Sequence, residues 1–320
     1  MLNKQQVFDF DCLSQEQILL LKACVLDKEN AIDAWREWQK YVDIEKLDAA
    51  SNSLLSQLYY NLSACKVKNL ELERLKGIYK RNWYANQILF QKLKVILKNL
   101  GNSNIPTILL GDSAIAAGYY QSYSQRVIHQ FSLLLHPDDG KLAVSLLQKH
   151  GWSVNDRTQF ILEKNNLLVL LENESRNKLQ LISNIFWTAS QEYTNKQIWI
   201  NTTTCKINSI NTLILDSTEI FLYLCLALFD WNKNKSIVFL IDAMIVLNQT
   251  EKFDWQKLII QAQKYQLGLT LKSMLVLLQK IFQLSIPDWV LSKLDRAINR
   301  QEAIRAKISK AKDAYLLEEI

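Results

Sequence analysis

The sequence predicts an α+β fold, a mixed sheet with packed helices, flanked by N-terminal and C-terminal helical bundles. Three observations carry that expectation. Of 320 residues, 49% are hydrophobic and 22% charged, the balance of an ordinary folded protein long enough for two packed cores. Only 7 Gly and 3 Pro interrupt a chain rich in Leu, Lys, Gln and Ala, which favours helix over turn-rich sheet. Apolar spacing follows the helical period up to about residue 100 and again beyond 216, and becomes strand-like only in between. The expected division is 1–100, 101–216 and 217–320.

The elements follow in order. "LSQEQILLLKACVL" opens with Ser14 and has Gln17 three residues later, a capping-box pattern, then sets Ile18, Leu21 and Val25 on one face. Helices are expected over 31–42, with Ala31, Trp35 and Trp38 on one stripe, over 51–65, and over about 71–100. The tryptophan and tyrosines of this last helix read as core rather than as a platform for stacking bases. Gly101, Asn102 and Pro106 then break the helix, and "TILL" (107–110) reads as a short buried strand. Further strands are expected at 130–136, 158–163, 166–172, 178–183, 196–201 and 211–216, with helices at 113–121 and 138–150. After Asp216 four apolar helices form a second bundle, Asp254 and Gly268 acting as start and stop signals for the third. A last helix over about 288–317 carries Lys293, Arg296, Arg300, Arg305, Lys307, Lys310 and Lys312, and an apolar face of Leu294, Ile298, Ile304, Ile308 and Tyr315. It caps the bundle with a solvated basic face, or else binds a partner.

A net charge of +6 permits nucleotides or acidic partners without demanding them, and nucleic acid is not expected. Five cysteines (12, 24, 65, 205, 225) are scattered, with no CxxC pair, which points to free thiols in a reducing compartment. "MLNKQQVFDFDC" lacks the apolar core of a signal peptide, and the apolar run "IFLYLCLALF" is about half a membrane span. A cytoplasmic protein without a membrane span is expected.

The stretch "ILLGDSAIAAGYYQSYSQRVIHQFSLLLHPDDGKLAVSLLQKHGW" (108–152) has the layout of strand, helix, strand, helix around a metal site. Nucleotidyl transfer needs divalent metal on hard oxygen ligands, and carboxylates two residues apart on a strand share a face where they can hold a metal pair. A small-residue turn at a helix N-terminus supplies amides for a triphosphate. With "TILLGDSAI", Tyr119-Tyr120, "RVIHQFSLLLHP", Gly151-Trp152, "LQLIS" and Phe253-Asp254-Trp255, the chain resembles an uncharacterised nucleotidyltransferase-like family of bacterial polysaccharide and natural-product gene clusters. The resemblance implies a DNA polymerase beta type nucleotidyltransferase fold, and "AWREW", "RLKGIYKRNWYANQILF" and "FLIDAMIVL" fit it too.

The departures from that pattern decide what function to expect. Where the resemblance places two strand aspartates and a later acid, this chain has Gln130, Ser132 and Gln180. Family histidines fall on Ile182, Tyr223 and Ala227. The family's Lys-Gly falls on Gly111-Asp112, so a cation is lost and an anion gained; Asp112 is expected to cap the following helix and compete with a triphosphate. Arg126 survives.

The candidate pocket is Asp112, Ser113, Arg126, His129, Gln130, Ser132 and Gln180, with Gly111, Asp112, Ser113 and Arg126 as the candidates for holding a nucleotide. His129, His136 and His150 are given structural roles, because strand parity sets the first two on opposite faces and the third ends a helix. No nucleophile elbow, P-loop or dinucleotide fingerprint is present in the sequence.

Three readings follow. The leading one is a degenerate nucleotidyltransferase fold acting as a binding or accessory protein in a bacterial biosynthetic pathway, with a protein, peptide or biosynthetic substrate as partner and no cofactor. The second is an enzyme using the old pocket for different, metal-independent tailoring chemistry. The third is an active nucleotidyltransferase with relocated acids, Asp112, Glu172 and Glu174, and it alone calls for magnesium and a nucleoside triphosphate.

Overall fold

A computed structural model of the chain describes residues 13–65, 70–154, 161–163, 166–186, 191–230 and 236–298. They group into two compact units, one of residues 53–216 and one of residues 1–52 with 217–320.

The first unit holds α4 (Leu55–Ala64), α5 (Leu70–Asn102), β1 (Ile108–Leu110), α6 (Gly111–Gly118), β2 (Phe131–Leu134), α7 (Gly140–Lys149), β3 (Trp152–Val154), β4 (Ile161–Glu163), β5 (Asn166–Asn173), β6 (Lys178–Ile182), α8 (Gln191–Ile200), β7 (Thr202–Ile207) and β8 (Ile210–Leu215). The strands run β3-β5-β6-β2-β1-β8-β7 across one sheet, with β4 also on β5. The sheet is mixed: β1 is antiparallel to β2 but parallel to β8, and β2 is parallel to β6. The fold is α+β, as the sequence predicts.

Register sorts the sheet into two faces, because paired residues point to the same side and neighbours along a strand to opposite sides. Leu109, Leu133, Leu181 and Val169 share one face and are buried. Helices α6 and α7 pack there: a Cβ on Gly118 would meet Ile214, and one on Gly140 would meet Leu167, both on that face. Leu110, Ser132, Gln180 and Leu170 share the other face, where Gln180 and Leu170 are half-buried and Leu168 is exposed.

The second unit contains α1 (Gln15–Val25), α2 (Lys28–Trp38), α9 (Ser217–Asp230), α10 (Ser236–Gln249), α11 (Trp255–Lys264), α12 (Gly268–Phe282) and α13 (Asp288–Ala297). The capping box forms as expected, Gln17 N donating to Ser14 Oγ and Ser14 N to Gln17 Oε1, each at 3.2 Å. Trp35 and Trp38 stack at 5.3 Å in its core. Asp254 caps α11 by accepting from Lys257 N at 2.8 Å. No helix among the described residues is long and apolar enough to cross a membrane. Of the cysteines, Cys24, Cys205 and Cys225 are buried free thiols and Cys65 is a half-buried one, while Cys12 lies outside the described residues.

Several expectations are corrected. The strand expected at 196–201 is the end of helix α8. Alternation would put Ile198 and Ile200 on one face, yet Ile198 is buried and Ile200 is exposed, as residues about 200° apart on a helix require. Strands β3 and β7 were not anticipated. The single helix expected over 51–65 is divided at Leu54 into α3 (Ala49–Ser53) and α4. Gly268 opens α12 instead of stopping α11, which ends before Gln266 turns to φ 56°. Trp83 and Tyr84 of α5 are exposed rather than core. Of the last expected helix, 288–297 is observed as α13 and 299–320 lies outside the described residues.

Candidate functional site

The turn from β1 into α6 is made by Gly111, whose φ of 62° is open to glycine at no steric cost. It delivers Asp112 into the first turn of α6. Asp112 does not cap that helix, contrary to expectation: Leu110 is the N-cap residue and no side chain bonds there. Instead its Oδ1 accepts from Arg126 Nη2 at 2.8 Å, and its Oδ2 accepts from the His129 backbone N at 3.0 Å with His129 Nδ1 at 3.2 Å. The competing principle is the cost of a buried cation. Arg126 is only 4% exposed and needs a counterion, which Asp112 supplies.

The loop carrying Arg126 is tied to both preceding helices. Asn86 of α5 donates to the carbonyls of Tyr123 at 2.5 Å and Arg126 at 2.7 Å. Gln125 Nε2 donates to Gln57 Oε1 of α4 at 2.9 Å, and Arg126 Nη1 donates to the Val127 carbonyl at 2.7 Å. Burial acts to raise the pKa of Asp112, but the Arg126 charge and the His129 hydrogen bonds outweigh it and hold that pKa at about 2, below the usual carboxylate value. Sequence reasoning missed Asn86 and Gln57; the signal was a polar residue on the buried face of an otherwise apolar helix stripe.

Beside this ion pair, Gln130, Ser132 and Gln180 meet. Ser132 pairs with Gln180 in the parallel β2–β6 register, so both side chains leave the sheet together. Ser132 Oγ donates to Gln180 Oε1 at 3.2 Å, and Gln130 Nε2 stands 3.5 Å from both Gln180 Oε1 and Ser132 Oγ. The three positions singled out from separate parts of the sequence therefore converge, and the side chains there satisfy one another without charge.

The remaining candidates lie elsewhere. Ser113 is fully buried, its hydroxyl donating to the Leu110 carbonyl at 3.4 Å. Glu172 sits opposite Lys178 in the β5–β6 ladder, and Glu174 is exposed in the turn that follows. His136 stacks on Trp199 at 4.3 Å, and His150 Nδ1 lies 2.8 Å from the Leu146 carbonyl where α7 ends.

A magnesium ion with a nucleoside triphosphate is the group such a fold calls for, and the residues present do not fit it. Amide and hydroxyl oxygens at 130, 132 and 180 bring no negative charge against a dication. The retained cation Arg126 is already neutralised by Asp112. Among the described residues no group of three or more His, Cys, Asp or Glu could hold a metal ion.

The mixed sheet and the strand–turn–helix of β1 and α6 beside β2 accord with a nucleotidyltransferase-like protein, the class that the sequence match shows. The family model for an uncharacterised nucleotidyltransferase matches residues 36–283, and the chain belongs to that family. Among solved structures it is similar to the antibiotic-resistance factor ANT(2'')-Ia, at 12% identity over 62% of this chain and 93% of that one, with a TM-score of 0.38. It is also similar to an antigenic nucleotidyltransferase-like protein from Paracoccidioides brasiliensis, at 15% identity over 66% of this chain and 91% of that one, with a TM-score of 0.40. The chain matches no curated protein.

Proposed function

We propose that this chain is a pseudoenzyme: a nucleotidyltransferase-fold protein that does not carry out metal-dependent nucleotidyl transfer and works by binding, as an accessory protein in a bacterial biosynthetic pathway in the cytoplasm. One observation carries the reading. Gln130, Ser132 and Gln180 occupy the three positions that the resemblance assigns to metal carboxylates, and they bond to each other at 3.2–3.5 Å. A polar cluster of this kind suits a neutral ligand with amide or hydroxyl groups, such as a peptide or sugar portion of a biosynthetic intermediate, and needs no cofactor.

The same geometry weakens the relocated-acid alternative. Asp112 is committed to Arg126 and His129, and Glu172 faces Lys178. Thermal unfolding of the full chain with ATP or GTP, with and without magnesium or manganese, tests the proposal. The expected result is an unchanged midpoint in every combination. A midpoint raised only when nucleotide and metal are both present overturns it.

A specific contact favours one second reading, metal-independent chemistry beside the same cluster. Asp112 Oδ2 lies 3.2 Å from His129 Nδ1, and the imidazole is otherwise half-exposed, an arrangement able to hold one tautomer and present Nε2 to a ligand. Under that reading His129→Ala abolishes turnover of the ligand. Under the binding reading it alters affinity alone.

A further inference from the structure

Helix α5 has two apolar faces, and only one is covered. Leu75, Phe90, Leu93, Ile96, Leu97 and Leu100 are buried, while Trp83, Tyr84, Ile88 and Val95 are 49%, 66%, 41% and 56% exposed. At about 100° per residue, Tyr84, Ile88 and Val95 fall within roughly 40° of one another, a ridge about three turns long. Arg81 lies along one side of that ridge, Lys80 and Lys98 along the other, and Trp83 lies beyond Lys80. From Arg74 to Asn102 the helix carries seven cations and no acid. An exposed aromatic-aliphatic ridge with charge of one sign on both flanks is what a helix-in-groove or helix-on-helix contact uses.

We infer that the exposed face of α5 docks an amphipathic helical segment of a partner protein, one whose apolar stripe of about three turns is flanked by Asp and Glu. Charge complementarity selects this occupant. A second copy of this chain would set Arg81, Lys80 and Lys98 against the same cations. A nucleic acid would gain charge contacts, but the ridge between the flanks is aliphatic at Ile88 and Val95, where base stacking has no platform. An anionic membrane would meet a single narrow ridge on a helix whose opposite face is already buried. This surface is separate from the Gln130–Ser132–Gln180 cluster, so each can fail without the other.

The test places the photo-reactive residue benzoylphenylalanine at position 84 of the full chain in its native host, with the same probe at exposed Leu142 of α7 as control. The expected product is a cross-link, specific to position 84, to a segment of another protein with apolar residues at helical spacing and flanking Asp or Glu. Combining Lys80→Glu, Arg81→Glu and Lys98→Glu is expected to reduce its yield about tenfold or more. The neutral pair Arg81→Gln and Lys98→Gln is expected to reduce it less, and keeps the test decisive should the triple variant fail to fold. The inference is overturned by cross-links only to a second copy, to nucleic acid or to lipid, by products shared with position 142, by no product, or by a yield that ignores the charge changes.

Discussion

Asp112→Asn is expected to lower the unfolding free energy at pH 7 by about 3 kcal/mol, because it leaves the Arg126 guanidinium buried without a counterion. Arg126 is 4% exposed and Asp112 18%, so solvent offers little compensation. The pH dependence separates this cause from a loss of packing. The folded value for Asp112 is about 2, below its ordinary 3.8, so the ionised side chain stabilises the fold fully above pH 4 and loses that contribution as pH falls toward 2. Urea unfolding at pH 7, 4 and 2.5 should therefore show wild type and variant far apart at the first two values and converging at the third. A gap that stays constant with pH would mean that the carboxylate charge is not what holds the loop.

Introducing acids is the second large effect. Gln130→Asp, Ser132→Asp and Gln180→Asp in one chain would gather three carboxylates where the present side chains stand 3.2–3.5 Å apart. Without metal their repulsion is expected to destabilise the protein by several kcal/mol. Manganese or magnesium at a hundredfold excess over its dissociation constant should return about 2.7 kcal/mol. Calorimetric unfolding in chelator and in metal reads both terms, and wild type should respond to neither. A triple variant indifferent to metal would show that the three side chains do not share one metal-sized space.

Much of this arrangement was legible in the sequence, for identifiable reasons. Strand periodicity alone put residues 130 and 132 on one face, and the family resemblance placed Gln180 beside them; the β2–β6 register then joins all three. The fate of Asp112 was not legible. Helix capping is a local rule, and the competing demand came from Arg126, 14 residues away, in a loop that Asn86 and Gln57 hold from separate helices. The error at 196–201 has another cause: "KQIWI" fits period 2 as well as the end of a helix, and only the opposite burial of Ile198 and Ile200 separates the two. Trp83 and Tyr84 break the rule that aromatics at helical spacing are core, because α5 has used its other face for the core already.

On the proposed function, a catalytic metal has no place among Gln130, Ser132 and Gln180. Electron paramagnetic resonance of manganese titrated into the full-length wild type, with and without ATP, measures that property itself. The free-manganese signal is expected to be the same with protein as with buffer containing the same ATP. Loss of that signal through tight binding to the protein, relieved by Ser132→Ala or Gln180→Ala, would contradict it.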